Sequence, residues 1–590
     1  MPNSHNKTSK LLLCLLYLTG VSYFIYPAFS YSDNWTSGTP QLIERAWSVL
    51  DFSVENPTLA PKNPHAPAPN PRIGVQERFY AVDFSRSRAP YFTNATCRAV
   101  GDFCYIFVQD SQWQKGTVNH DDIIAIKKAF DQSTNANPSK GIYETEVENL
   151  GFPPDDIDQD PKIYILVLDI PDGREGTGSY LAGYFEPLNQ KRGVFRDPHT
   201  GVKITSNEVE MIYLDAHPLD VGSNTSKEIL AHEFQHLIHW KHDPDEDIWL
   251  NEGCSEYAAI FLCGYGGDKS MHVRSFEMKP QTSLVYWSGL LENYGASFLW
   301  VLYLHEQYGG VSTISALIDE QDNGIKGIND VLSNRGYSRN FSEVFSDWKI
   351  ANIMDDTSYA NGRYGYKNLD LNLRIDTRHA SYPTERMNNI QSWTADYIQF
   401  SNGDGISDLL LDFNGKNPAH SFDIKIISML NGRPVGIEKI NLAKGLGYLS
   451  LPDFGISSHD IIMAVSWQPR SRPDFSDIIQ YSYSARLGEK IEINTAVIPN
   501  PIHNRYIDIL VKINDVSQTN IPRINVSQNG KVIIKQQIMS GLESSSNREK
   551  AAYIYQLYIP KNMDKSSIDW EIYYTNRIVA NGNLGELNDY

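Results

Sequence analysis

The period of hydrophobic and polar positions changes along the chain, and each change marks a predicted element. Between residues 73 and 224, short apolar runs at 103–108 and 163–169 read as strands, and 121–131 carries helical spacing. Two further predicted strands, 178–185 and 208–214, come just before a helix, and 178–185 is expected at the edge of the sheet, where a substrate backbone could be added. That helix shows an apolar stripe of Leu230, Phe234, Leu237 and Ile238, preceded by Thr225 and Glu228 in capping-box spacing. A second helix begins near Glu252 and stops at the glycines 264–267. Helical spacing then returns at 299–308, 314–319, 328–333 and 341–354. After about Ala380 the period falls to two, with Gly, Asn and Pro between short runs. Strands are predicted at 422–429, 461–467, 478–485, 506–513, 531–535, 553–559 and 570–574.

These patterns predict an α+β region at 73–380, built from a mixed-sheet lobe and a helical lobe. Two all-β, sandwich-like domains follow at 381–488 and 489–590. Residues 31–72 are proline-rich (Pro57, Pro61, Pro64, Pro67, Pro69 and Pro71), which favours an extended linker or a propeptide over a packed element. Residues 1–30 read as a signal peptide: Lys7 and Lys10 precede an apolar run, and Ala28 and Ser30 offer small side chains for cleavage. The expected location is therefore secreted or cell-surface, with a retained membrane anchor if the segment is not cleaved. Cys97 and Cys104 flank a short turn-like segment, and an exported chain would be expected to join them as a disulfide. Cys254 and Cys263 read as buried thiols. The chain has 590 residues, is 41% hydrophobic and carries a formal charge of −19. That charge argues against nucleic acid or an anionic membrane as the main partner.

The chemistry concentrates between the two middle helices. His232-Glu233-Phe234-Gln235-His236 is an H-E-x-x-H motif. On a helix, residues four apart share a face about 6 Å apart along the axis, so His232 and His236 can turn two imidazoles toward one ion. Glu233 then lies about a hundred degrees round the cylinder, suited to act as a base toward water beside the metal rather than as a ligand. A hydrolytic zinc site takes three protein ligands. The third is expected to be Glu252, with Glu256 one turn on as acceptor for a ligand histidine's free N–H. The alternative third ligand is His242, six residues after His236. The spacing that uses such a histidine has a turn-forming glycine at the position held here by His239.

His232–His236 followed by Trp249-Leu250-Asn251-Glu252-Gly253 and Ser255-Glu256-Tyr257 resembles the gluzincin metallopeptidases. The stretch from Tyr294 to Gly309 and the Phe345–Trp348 segment are similar to the hyicolysin-like, or peptidase MA-like, group. The likeness spans roughly 73–360 and is specific over the two metal helices. It implies a zincin-like catalytic domain, a Zn²⁺ cofactor, protein or peptide substrates, and endopeptidase-type hydrolysis with Glu233 as general base. It also implies a Tyr or His aimed at the oxyanion, for which Tyr294 is the candidate; the plainer reading of Tyr294 is a core tyrosine. The β-domains would bind a polymer or protein partner. The alternative function is a secreted binding or adhesion protein using a non-catalytic zincin scaffold.

Overall fold

The computed structural model describes residues 34–55, 63, 66–68, 70–174, 179–405, 407–469, 477–488, 493–499, 506–513, 522–542, 551–558, 565–574 and 577–584. The expected signal peptide lies outside them. Among the described residues, no helix is long and apolar enough to cross a membrane.

The chain is a mixed α+β protein with several sheets. It opens with strand β1 (Trp35–Ser37) and helix α1 (Thr39–Glu55). Then come β2 (Gln76–Asp83), β3 (Ala89–Val100), β4 (Cys104–Gln109), α2 (Asp110–Lys115), α3 (His120–Asp131) and α4 (Ile142–Leu150). Strands β5 (Ile163–Leu168), β6 (Tyr180–Phe185), β7 (Val194–Arg196), β8 (Lys203–Thr205) and β9 (Met211–Asp215) follow. The helices after them are α5 (Asn224–His242), α6 (Ile248–Glu256), α7 (Met271–Met278), α8 (Leu291–Gln307), α9 (Val311–Ile318), α10 (Gly324–Asn334) and α11 (Phe341–Met354). A π-helical turn, Tyr257–Leu262, extends α6.

Seven strands form one sheet in the order β1-β6-β9-β5-β4-β3-β2. Strands β4, β5 and β9 are parallel, β6 is antiparallel to β9, and β1 lies parallel to β6. The central strands are apolar on both faces, as a sheet covered on both sides requires. Ile106, Val108, Ile165, Val167 and Leu214 pack with Leu230, Phe234 and Leu237 of α5 on one face. Tyr105, Phe107, Tyr164, Leu166 and Tyr213 form the core on the other.

This pleat corrects the disulfide expectation. Cys97 pairs in register with Phe107 and joins the second core, whereas Cys104 belongs to the first. The two thiols point to opposite faces of the sheet and are free, as are the buried Cys254 and Cys263. Three further differences concern the elements around α5. Its N-cap is Ser223, whose side chain accepts the Ser226 N–H, so Thr225 lies inside the first turn. Strand β6, the expected sheet edge, has neighbours on both sides; the edges are β1 and β2. Residues 34–50, expected as linker, are packed, with Trp35, Leu42, Ile43, Ala46 and Val49 buried.

Helices α6 and α8 approach closely because Gly253 has no side chain: a Cβ there would lie 2.8 Å from the Ser297 carbonyl oxygen. Helix α11 is tied to the next region by the buried Lys349, whose ammonium is 2.8 Å from the Asp423 carboxylate. There, a five-stranded and a four-stranded sheet share an apolar cluster that includes Ile398, Phe413, Ile426, Met463 and Tyr481. Two four-stranded sheets over 493–583 enclose another, around Ile509, Val526, Trp570 and Ile572.

Candidate metal centre

Helix α5 runs across the sheet with its apolar stripe down, which fixes where its polar residues point. His232 and His236 face α6, their Nε2 atoms 3.1 Å apart. Glu252, near the middle of α6, completes the group. Its Oε2 is 3.2 Å from His232 Nε2 and its Oε1 is 3.1 Å from His236 Nε2. All three residues are at most 1% exposed.

The outer ring nitrogens have partners of their own. His236 Nδ1–H donates to Asn251 Oδ1 at 2.6 Å, and His232 Nδ1 lies 3.1 Å from Glu256 Oε1. Oxygen acceptors at Nδ1 put the proton there and leave both Nε2 lone pairs facing Glu252. The two Glu252 oxygens have no hydrogen-bond donor of good geometry. Converging lone pairs sealed from water repel one another unless a proton or a metal cation sits among them. Separations of 3.1–3.2 Å fall a little short of the roughly 3.3 Å edge of a tetrahedron with metal–donor bonds of about 2.0 Å, and a small outward shift of two imidazoles and one carboxylate would seat zinc.

Electrostatics agree with a site built for charge. Burial works against a charged His232, yet Glu252 and Glu256 hold its pKa well above the ordinary imidazole value. Burial likewise opposes an ionised Glu252, but His236 and His232 hold its pKa below the usual carboxylate value. Glu233 lies near these rings without bonding to either, and its Oε1 has no hydrogen-bond partner. Its Oε2 accepts the Thr39 hydroxyl at 2.6 Å, and burial raises its pKa against the pull of the two histidines.

His272, on α7, is a site residue that the sequence does not announce. Its Nδ1 donates to Glu256 Oε2 at 2.8 Å, and its Nε2–H donates to the Trp35 carbonyl at 3.0 Å. Glu256 therefore bridges His232 and His272. No fixed interval links a histidine sixteen residues past Glu256 to the motif; only the turn of the chain brings it back. Tyr294 is buried, stacks on His272 with ring centroids 4.6 Å apart, and accepts the Ser37 N–H at 3.1 Å. His242 lies elsewhere, at the end of α5. Its Nδ1–H donates to Asp319 at 2.6 Å and its Nε2 faces the Phe152 carbonyl at 3.1 Å.

One comparison with known proteins finds a similarity to a metalloprotease. The chain is 32% identical over 172 residues to the neutral metalloprotease ShpI of Staphylococcus hyicus. That match covers 26% of this chain and 37% of that protein. No protein-family profile matches the chain. Among solved structures, the mitogen from Yersinia pseudotuberculosis is 15% identical over 19% of this chain and 90% of its own, with a TM-score of 0.14. A β-glucuronidase from an uncultured Clostridium is 9% identical over 30% of this chain and 32% of its own, with a TM-score of 0.11. Scores this low carry no argument about fold.

Proposed function

We infer that the chain is a secreted zinc peptidase of the gluzincin type, an endopeptidase acting on protein or peptide chains. The observation that carries this is the closed triangle of His232 Nε2, His236 Nε2 and the Glu252 carboxylate, with Glu233 beside it. The likeness to a metalloprotease supports it. In this reading 73–380 is a zincin-like domain and the two β regions are sandwich modules for a polymer or protein partner. A signal peptide at 1–30 would carry the enzyme out of the cell, or hold it at the surface if uncleaved.

His232, His236 and Glu252 would hold the ion. When bound, zinc supplies Lewis-acid assistance and draws the pKa of its water toward ~7. Glu233 takes the proton of the attacking water and passes it to the leaving amine; its raised pKa suits both halves of that transfer. Asn251 and Glu256 fix the ring orientation and tautomer of the two histidines. His272 shares with Tyr294 the task of stabilising the oxyanion, because its Nε2–H already donates to a peptide carbonyl.

The test is casein hydrolysis by the zinc-loaded chain, with and without residues 34–55 cut free. Hydrolysis is expected to be lost with a chelator and restored by zinc. No chelator-sensitive hydrolysis in either form would remove the reading. Glu256→Gln is expected to weaken zinc binding about 10–100-fold, measured by competition with a chromogenic chelator, because a neutral amide has one acceptor oxygen for the two Nδ1–H groups of His232 and His272 and holds it less strongly than a carboxylate does. Unchanged affinity would free Glu256 from that role.

A further inference from the structure

Strand β6 runs beside the metal triangle with one side bonded to β9 and the other to β1. The β1 side is covered by an N-terminal segment that touches His232, Glu233, His272 and Tyr294. Gly38 N–H donates to Gly183 O at 3.0 Å, and Tyr180 N–H donates to Asn34 O at 3.2 Å. The Trp35 ring stands edge-on to His232, centroids 5.2 Å apart, and its carbonyl takes the His272 Nε2–H. Ser37 N–H engages Tyr294, and the Thr39 hydroxyl is bonded to Glu233 while accepting the Phe185 N–H at 2.8 Å. Helix α1 anchors the segment through a buried Arg45–Glu186 ion pair and through Trp47, which donates to the Pro244 carbonyl.

A substrate peptide held by strand addition needs a free strand edge, a donor for its carbonyl and an unoccupied base. Each of these is already engaged by residues 34–39, and the metal ligands and Glu233 are at most 1% exposed. Resting on the peptidase reading of this site, we propose that the β1-facing edge of β6 is the docking surface for an extended peptide substrate. Residues 34–50 are its intramolecular occupant, a strap that must leave before substrate enters. In the sequence the Pro-rich stretch that follows α1 joins the strap to the rest of the chain, so a cut within it separates the two covalently.

The experiment places a recognition sequence for a specific endoprotease within 56–62 of the full chain. Two probes are compared before and after the cut: a fluorogenic extended peptide, and the same peptide ending in a hydroxamate, whose binding is read by anisotropy. Probe affinity and turnover are expected to rise roughly tenfold or more after the cut, by the reciprocal of the uncovered fraction. A synthetic peptide of residues 34–50 should reverse the gain. In the uncut chain, Trp35→Ala should raise probe affinity in the same direction, which covers the case of a cut strap that stays bound. Probe affinity that is indifferent to both the cut and Trp35→Ala overturns the strap. Binding that appears only after the cut, with no hydrolysis in any form, keeps the strap and removes the peptidase reading instead.

A separate observation carries a second site. One turn beyond the triangle, His239, Asp243 and Glu246 bring donor atoms within 4.8 Å of one another, all buried. His239 Nε2 and both Asp243 oxygens lack a well-aligned hydrogen-bond partner, although Asp245 lies close by. Among the described residues, no Lys or Arg pairs with either carboxylate. Two buried carboxylates without a counter-charge are costly, and a divalent cation would balance them. We further infer that this group binds such a cation, zinc rather than calcium, since a histidine nitrogen belongs to zinc's donors and not to calcium's. Metal-stripped full chain dialysed against Zn²⁺ should hold about two ions per chain. Asp243→Asn and Glu252→Ala should each lose a different one. Wild type holding a single ion that Glu252→Ala removes overturns this site.

Discussion

Glu233→Gln is expected to lower kcat by about 10²–10⁴-fold while leaving zinc content unchanged. The amide is nearly isosteric with the carboxylate, so the α5 packing beneath it is undisturbed. Its oxygen can still accept the Thr39 hydroxyl, which now bonds the acid at 2.6 Å. The two ligand rings take their orientation from Asn251 and Glu256, and neither touches Glu233 through a hydrogen bond. What the substitution removes is the ability to accept a proton from water and return it. Metal analysis beside kcat on the strap-released chain separates these effects. Turnover near the wild-type rate would assign the base to another group, and parallel loss of zinc would show that Glu233 holds the metal.

The metal triangle was legible because its spacing is a property of the helix itself. Two histidines four apart share a face wherever the helix packs, and the Asn251-Glu252-Gly253 run sits on a helix short enough to return to them. Glu256 was legible for the same reason, one turn from Glu252. His272 was not: its place depends on the loop between α6 and α7 and on α8 packing beside α7, which no local spacing encodes. The strap was hidden by its context. Leu42, Ile43, Ala46 and Val49 already carry helical spacing, yet the prolines from 57 onward dominate the composition of 31–72. Cys97 and Cys104 illustrate the opposite failure. Their separation suits a small loop, but strand pairing puts Cys97 opposite Phe107, and alternation along β4 turns Cys104 to the other face. The edge strand was misplaced by the same hidden element, because β6 has one free side only when β1 is gone.

Glu252→Ala is expected to weaken zinc binding at the triangle by well over the ~100-fold that loss of an outer partner can cause, abolishing hydrolysis. His242→Ala is expected to leave both unchanged. Glu252 supplies the carboxylate that lies 3.1–3.2 Å from both ring nitrogens, and alanine leaves the two imidazoles facing a dry gap that holds no acidic ligand. Neither Asn251 nor Ser255 can substitute, since both are committed around the far side of His236. His242 lies a turn and a half beyond His236 along α5, held by Asp319 and the Phe152 carbonyl. To reach the ion it would have to break both contacts and unwind the end of the helix, whose backbone bond from Asp243 N–H to the His239 carbonyl is intact. Chelator competition on the two variants decides between them. Both ions retained by Glu252→Ala, and one lost by His242→Ala, would mean that the end of α5 unwinds on binding metal, and with that the strand-edge geometry proposed for the substrate would have to be redrawn.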